Sequence, residues 1–453
     1  MKNIAVLLCS GSGKRFNSSK PKQFSKLAGK MIIEYTIDRF NKNKNINEII
    51  IVTQNEYIDL IWEIAKKNNF SKIKLVINGG KERFHSTLSA ITALNDYDDL
   101  CNILIHDGVR PLVTDRIINE CLSALNNYDA VDVVIESTDT LVEVNDDLCI
   151  TKIPNRSHLR RGQTPQAFKL HCIKKAYQAA LEANNEIFTC DCGVVRSLLP
   201  DVTIKAINGD IQNIKITNPI DQYIAEKLLQ SSQNITKTNY SEHNTLNNKV
   251  LVIFGGNSGI GLSIQKLARN LNITVEVASR TFNNVNITNI KSVEDYLYSV
   301  IEKHKKIDFV INTAGLLIKK PIDLLSHQEI LDLININYTG AVNVSIASKK
   351  YLSITNGMLL HFTSSSYTRG RANYAIYSSS NAAIVNLTQA LSEEWSNTIR
   401  VNCINPERTL TSMRVKNFGI EPPETLLSPE VVARKCLEVL DSQSTGLIID
   451  IKK

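Results

Sequence analysis

Two α/β domains, each built on a mostly parallel sheet, are what this sequence predicts, and three observations predict them. Short β-branched and aliphatic runs alternate with segments of amphipathic, helix-like spacing. These runs are IAVLL from Ile4, EIIIVT around Ile50, KLVING around Leu75 and NILIHD around Leu104. Such alternation marks βαβ units covered by helices. Second, the pattern stops near Gln230, where QSSQNITKTNYSEHNTLNN is polar and lacks a hydrophobic period. Third, it restarts at Lys249 with KVLVIFGGNSGIG, another first strand running into another glycine loop. The expected organisation is a domain over 1–230, a linker over 231–248 and a domain over 249–453. The halves do not repeat each other in detail, so no duplication is inferred.

Composition narrows the function. The 453 residues are 43% hydrophobic and 21% charged, which is ordinary for globular cores. The 52 basic and 45 acidic residues leave a net charge of +7. That excess is mild and interspersed, with no basic run and no aromatic interleaving. Nucleic acid is therefore not an expected partner, whereas anionic small substrates suit the charge. The nine cysteines are odd in number and scattered, so a reducing, cytoplasmic compartment is expected. Cys190 and Cys192, with His171 and Cys172 upstream, read as semi-buried packing rather than a ligand set. The opening MKNIAVLLCSGSGKR has too short an apolar run for a signal peptide and feeds a basic glycine loop. No apolar stretch reaches a membrane span, so a membrane is not an expected partner.

The first strand, Ile4 to Leu8, ends in Cys9-Ser10-Gly11-Ser12-Gly13-Lys14-Arg15. Glycines at the carboxyl end of a first strand let the backbone approach phosphate oxygens. The loop is not a Walker A sequence, because Leu8 stands where that motif needs glycine. Lys14, Arg15, Lys20 and Lys22 follow, and such cations stabilise charge developing on a leaving pyrophosphate. Next, Gly79-Gly80-Lys81-Glu82-Arg83 opens a helix near Ser86. His106-Asp107-Gly108-Val109-Arg110-Pro111 then follows the strand NILI. An aspartate just after a buried strand suits a divalent metal or a hydroxyl group, or else a cap. An arginine three residues on can grip a phosphate.

The ordered set GSGKRF, PKQF, GGKERFHS, HDGVRP, RGQTPQAF and NIKITNP resembles the cytidylyltransferases that act on methylerythritol 4-phosphate and ribitol 5-phosphate. The resemblance covers roughly Met1 to Leu229, and GQTPQ and HDGVRP look closer to the ribitol phosphate branch. It implies a nucleotidyltransferase fold with a dimerisation arm, and roles by position. Gly11, Ser12, Gly13 and Arg15 hold the CTP phosphates, with Ser10 beside them. Lys22 stabilises the pentacoordinate transition state, and Arg15 and Lys215 act with it. Gly80, Arg83 and Ser86 line the cytosine and ribose pocket. Asp107 serves Mg2+ and the sugar hydroxyls. Arg110, Thr164, Thr189, Lys215 and Thr217 surround the polyol phosphate. Arg156 sits on an arm that reaches a neighbouring subunit, which implies a homodimer. One departure is Cys190, where the family usually has aspartate; Asp191 comes one step later.

In the second half, KVLVIF leads into Gly255-Gly256-Asn257-Ser258-Gly259-Ile260-Gly261 and then the amphipathic SIQKLARNL. A glycine trio between strand and helix points a helix N-terminus at a pyrophosphate. The next strand, ITVEVASR, ends in Ser279-Arg280 rather than an acid. An acid there binds the ribose hydroxyl of NAD, and its absence beside Arg280 favours NADPH. With Asn312-Thr313-Ala314-Gly315, Asn337, Ser364, Tyr377 and RVNCINP, the order resembles the short-chain dehydrogenase/reductase family over roughly Lys249 to Lys453.

That resemblance implies a Rossmann-like fold in which Asn312, Ala314 and Gly315 help hold the cofactor. Tyr377 protonates the carbonyl oxygen, Ser364 orients it, and Asn337 holds a water in the proton path. Tyr374 is a rival, but Ser364 lies at the family spacing from Tyr377. Asn381 stands where the family has lysine, so the cation that lowers the tyrosine pKa is missing. Glu407 replaces the usual glycine after Pro406. Arg369 and Arg371 are expected to bind a substrate phosphate. The whole chain resembles bifunctional enzymes that supply CDP-ribitol to bacterial capsule synthesis. Such enzymes reduce ribulose 5-phosphate to ribitol 5-phosphate with NADPH, then transfer a cytidylyl group from CTP. The alternative is a methylerythritol phosphate cytidylyltransferase fused to a weak or inactive NADP-binding module.

Overall fold

A computed structural model describes residues 2–11, 21–232, 246–395 and 398–453. Ser12, Gly13 and Arg15, and most of the linker expected over 231–248, lie outside the described residues. The chain divides into two compact units, Met1–Lys227 and Leu228–Lys453.

The strands of the first unit begin with β1 (Asn3–Leu8), the hairpin β2 (Lys26–Leu27) and β3 (Lys30–Met31), β4 (Glu48–Thr53), β5 (Ile73–Asn78) and β6 (Asn102–Asp107). They continue with β7 (Ala130–Glu136), the hairpin β8 (Glu143–Val144) and β9 (Ile150–Lys152), β10 (Arg160–Gly162), β11 (Gln166–Lys169) and β12 (Ile204–Asn208). The helices are α1 (Ile32–Lys42), α2 (Ile58–Asn68), α3 (Arg83–Ala93), α4 (Asp115–Ala124), α5 (Leu170–Glu182), α6 (Asp191–Leu198) and α7 (Pro219–Ser232).

The main sheet runs β10-β7-β11-β6-β1-β4-β5, with β12 added along β7. β1 pairs in parallel with both β4 and β6, and β4 in parallel with β5. The run IAVLL is continuously apolar because helices cover both faces. Ala5 and Leu7 pack on one side with Ile33, Phe40 and Ile117. Ile4 and Val6 pack on the other with Phe84, Phe168 and Tyr177. β11 departs from the parallel pattern, lying antiparallel between β6 and β7. It returns from the arm that carries β8 and β9, which reverses the chain direction.

The second unit carries β13 (Val250–Phe254), β14 (Thr274–Ala278), β15 (Phe309–Asn312), β16 (Met358–Phe362), β17 (Arg400–Pro406) and β18 (Ile448–Ile451). Its helices are α8 (Gly259–Asn270), α9 (Arg280–Asn283), α10 (Ile290–His304), α11 (His327–Ile334), α12 (Gly340–Thr355), α13 (Ala375–Glu394), α14 (Ser412–Phe418) and α15 (Pro429–Asp441). The strand order is β14-β13-β15-β16-β17-β18, and every pairing is parallel. The order reverses on either side of β13, which opens a crevice at the carboxyl ends of the strands. Among the described residues, no helix is long and apolar enough to cross a membrane.

Candidate active sites

The first site gathers at the carboxyl ends of β1 and β6. Gln23, buried in the PKQF segment, donates to the carbonyls of Cys9 at 2.5 Å and Gly11 at 3.3 Å. This stitches the short 3-10 turn Lys22–Phe24 to the glycine loop and keeps Lys22 beside it. Ser10 and Ser86 meet through their hydroxyls at 2.7 Å, joining the loop to α3. Gly79 lies against them, and a Cβ there would collide with Ser10.

Asp107 is the hub. Its Oδ2 lies 3.1 Å from Arg110 Nε and 3.1 Å from Lys215 Nζ, and its Oδ1 lies 3.8 Å from Arg83 Nε. Burial opposes the charge, but Lys215, Arg110 and Arg83 outweigh it and hold the carboxyl well below the usual carboxylate range. Thr164 Oγ1 accepts from the Asp107 amide at 3.1 Å and meets His106 Nδ1 at 3.0 Å. His106 is buried, its pKa lowered to about 4 by desolvation, so the imidazole is neutral near pH 7. The Asn213 backbone carbonyl accepts from Arg110 Nη1 at 2.8 Å, and its side-chain amide donates to the Thr164 carbonyl at 2.9 Å. Sequence reasoning missed Asn213 and Gln23, because a single Asn or Gln carries no pattern of its own.

Three cations around one carboxylate do not suit Asp107 to a divalent metal, since the metal would have to displace or repel them. Among the described residues, no group of three or more His, Cys, Asp or Glu side chains could hold a metal ion. The arrangement instead presents a cationic face with one anchored acceptor, which suits a phosphate and a hydroxyl together.

Arg83 also pairs with Asp191, at 2.6 Å. Asp191 is fully buried and accepts from Thr87 at 3.0 Å and Tyr177 at 2.7 Å. Cys190 takes the N-cap of α6, its sulfur accepting from the Gly193 amide at 3.3 Å. The acid shifted by one residue thus turns inward and positions Arg83. Thr189, just ahead of this cap, is exposed. Thr217 is half-buried and donates to the Lys215 carbonyl at 3.2 Å. Arg156 is exposed on the arm and donates to the Thr138 carbonyl at 2.9 Å.

The second site is a cavity of about 700 Å³ at the switch point around β13. Gly255, Asn257, Ser258, Gly259, Ile260, Gly261, Arg280, Ala314 and Gly315 line one end. Gly255 has φ +82°, and a Cβ there would fall 2.7 Å from the Ala314 amide nitrogen. Two backbones approach closely here, so only glycine fits. This cradle at the start of α8 suits the pyrophosphate of a dinucleotide. Asn257 donates to Thr281 at 2.7 Å, tying the loop to the segment that carries Arg280.

Asn337, Ser364, Arg371, Tyr377 and Asn381 line the other end. Asn312 is not among the lining residues; buried, it accepts from the Ala314 amide at 3.2 Å and shapes the turn instead. Arg369 is exposed and also absent from the lining. Asn337 accepts from the Leu316 amide and donates to its carbonyl, both at 2.8 Å, so its amide is committed to backbone. Asn381 donates to the Tyr377 carbonyl one turn back, at 2.8 Å. Burial pushes the Tyr377 phenol up, against the opposing pull of Ser364, Asn381 and the Arg414 charge. Arg408, Arg414 and Phe418 also line this end and were not anticipated, because they follow β17 in a stretch without a recognisable motif.

The family model for 2-C-methyl-D-erythritol 4-phosphate cytidylyltransferase matches residues 3–231, and that for short chain dehydrogenase matches residues 265–419. Fold and sites together define a cytidylyltransferase joined to a short-chain dehydrogenase with a nicotinamide cofactor. The bifunctional ribulose 5-phosphate reductase/CDP-ribitol pyrophosphorylase Bcs1 of Haemophilus influenzae is 48% identical over 99% of this chain and 96% of its own length. The chain belongs to that bifunctional family. Its first half is 36% identical to a 2-C-methyl-D-erythritol 4-phosphate cytidylyltransferase of Thermobifida fusca, over 50% of this chain and 93% of the relative. It is 33% identical to a ribitol-5-phosphate cytidylyltransferase of Vibrio parahaemolyticus, over 51% of this chain and 98% of the relative.

Proposed function

We propose that the protein makes CDP-ribitol in two steps, reducing D-ribulose 5-phosphate to D-ribitol 5-phosphate and then transferring a cytidylyl group to it from CTP. The observation that carries this reading is that 48% identity to a reductase/pyrophosphorylase runs through both units rather than one. The first half alone does not separate the ribitol from the methylerythritol branch, since relatives of both kinds match it at similar identity.

In the transfer step, the acceptor phosphate oxygen attacks the α-phosphorus of CTP in line, and the bond to pyrophosphate breaks. Arg110, Lys215 and Thr164 hold the acceptor phosphate, with Thr189 and Thr217 at its rim, and Asp107 accepts from the polyol hydroxyls. Lys22, with Ser10, Gly11, Ser12, Gly13 and Arg15, gathers the triphosphate and neutralises the departing charge. Gly80, Arg83 and Ser86 face the nucleoside. Mg2+ bound with CTP would add to the neutralisation of the departing pyrophosphate. The arm exposes Leu141, Val142, Val144, Leu148, Ile150 and Ile153, an apolar surface suited to a second copy. A homodimer in which Arg156 serves the partner's site fits that surface.

In the reduction step, bound NADPH supplies the hydride. Arg280, standing where an NAD-preferring site carries an acid, favours the extra phosphate. Tyr377 gives its phenolic proton to the carbonyl oxygen, which Ser364 orients, and Arg371 borders the substrate. A cytoplasmic location fits the nine unpaired thiols, and the product is an activated polyol of the kind a capsule polysaccharide polymerase consumes. The test supplies the full chain with NADPH, CTP, Mg2+ and ribulose 5-phosphate and identifies the nucleotide product. CDP-ribitol is expected; a clear preference for methylerythritol phosphate as acceptor overturns the substrate assignment.

A further inference from the structure

The substrate end of the reductase cavity carries more positive charge than the motifs assign. Arg414, on α14, lines the cavity that Tyr377 also lines. Its guanidinium is fixed on two sides. Glu421 takes the Nε and Nη2 edge at 2.6 and 2.9 Å. The Phe418 ring backs the guanidinium at 4.5 Å. The Nη1 edge therefore points away from the carboxylate. Arg408 approaches the same Glu421 at 3.6 Å, and Lys319 sits over the Phe418 ring, 4.7 Å from its centre. Arg408 and Arg414 thus share one carboxylate, and Arg371, Arg408 and Arg414 outnumber Glu407 in the cavity lining, an excess that a bound anion can satisfy. Tyr374 links this cluster to the reacting end, with ring centres 5.9 Å from Phe418 and 6.3 Å from Tyr377.

We propose that Arg414, clamped by Glu421 and Phe418 and assisted by Arg408, is the seat for the phosphate monoester of the ketose that the cavity reduces. The proposal rests on the reading of the second unit as a ketose phosphate reductase and adds the group that recognises the phosphate. A preset, planar fork discriminates a terminal dianion from a hydroxymethyl group. The Arg414 charge also reaches the Tyr377 phenol, and both side chains line the one cavity. Arg369, exposed and outside the cavity lining, does not share this role.

The test uses the full chain and follows NADPH oxidation with ribulose 5-phosphate and with unphosphorylated ribulose. Arg414→Ala is expected to raise KM for ribulose 5-phosphate by roughly 10–100-fold, the loss of a charge-assisted hydrogen bond. The penalty on ribulose should be at least about tenfold smaller, and KM for NADPH should stay put. Arg414→Lys, which keeps the charge but not the fork, should fall between. Inorganic phosphate should compete with ribulose 5-phosphate in the wild type and not in Arg414→Ala. Equal penalties on both sugars, or none, overturn the proposal. If the wild type reduces no ketose, the functional reading fails on its own. Calorimetric binding of inorganic phosphate, compared between wild type and Arg414→Ala, then still decides the seat, and identical isotherms overturn it.

Discussion

Asp107 in the first unit and Tyr377 in the second are the hubs of their sites, and their surroundings differ in sign. Arg83, Arg110 and Lys215 crowd around Asp107 and hold it ionised. Tyr377 has Asn381 one turn away, and burial pushes its phenol up. The first site is built to bring anions together, so it concentrates cations at the reacting centre. The second keeps a neutral side chain, Asn381, one turn from the proton donor and carries its cations, Arg371, Arg408 and Arg414, elsewhere in the cavity lining. A tyrosine that gives a proton during reduction must stay protonated, and a raised pKa serves that direction. The same feature handicaps alcohol oxidation, which needs the phenolate.

The largest effect should come from removing the proton donor. Tyr377→Phe is expected to cut NADPH oxidation by roughly 10²–10⁴-fold while leaving CTP-dependent pyrophosphate release intact. Retained reduction would point to another donor, with Tyr374 first in line. Lys22→Ala is the mirror experiment. It should lower pyrophosphate release by about 10²–10³-fold without touching reduction, and normal release would break the cationic account of the first site. Arg280→Ala should raise KM for NADPH by on the order of tenfold and leave KM for NADH nearly unchanged. Equal effects on both cofactors would remove the phosphate contact.

Asn381→Lys sharpens the contrast through pH. Tyr377 is protonated below its pKa, and in the wild type that pKa is raised. Reduction by the wild type should therefore hold up to alkaline pH, whereas the lysine variant, with its phenol pulled down, should lose rate at lower pH. Identical alkaline limbs would mean that the charge at this position is not felt.

The smallest expected effect concerns stability. His106 is buried and neutral, with its pKa lowered to about 4. Its contribution is present above about pH 6.5 and is lost as pH falls toward 4, on the order of 3 kcal/mol at most. His106→Gln should flatten the acid dependence of melting in that window; an unchanged slope rules this out. His361 in the second unit has its pKa lowered to about 4 in the same way and bonds Ser345 at 2.9 Å, so acid should loosen both units.

The reading of two α/β units came from local pattern, because apolar strands and glycine turns declare themselves over a few residues. Gly255, Ser364, Tyr377 and Asn381 were legible for the same reason, each at fixed spacing within one or two elements. The pairing of Asp107 with Lys215 and of Arg83 with Asp191 joins residues about a hundred positions apart, and no spacing rule links them. The reversed β11 was missed because its few residues look like any other buried strand.

By itself, then, the sequence determined which segments become strands and which loops can approach a phosphate, since backbone freedom and hydrophobic period are local properties. Only the tertiary structure decided the charge balance of the sites. It surrounded Asp107 with cations, turned Asp191 inward when Cys190 took the cap, and brought Arg414 to the reductase cavity. The physical reason is that electrostatic energy depends on distance in space, and folding sets that distance independently of separation along the chain.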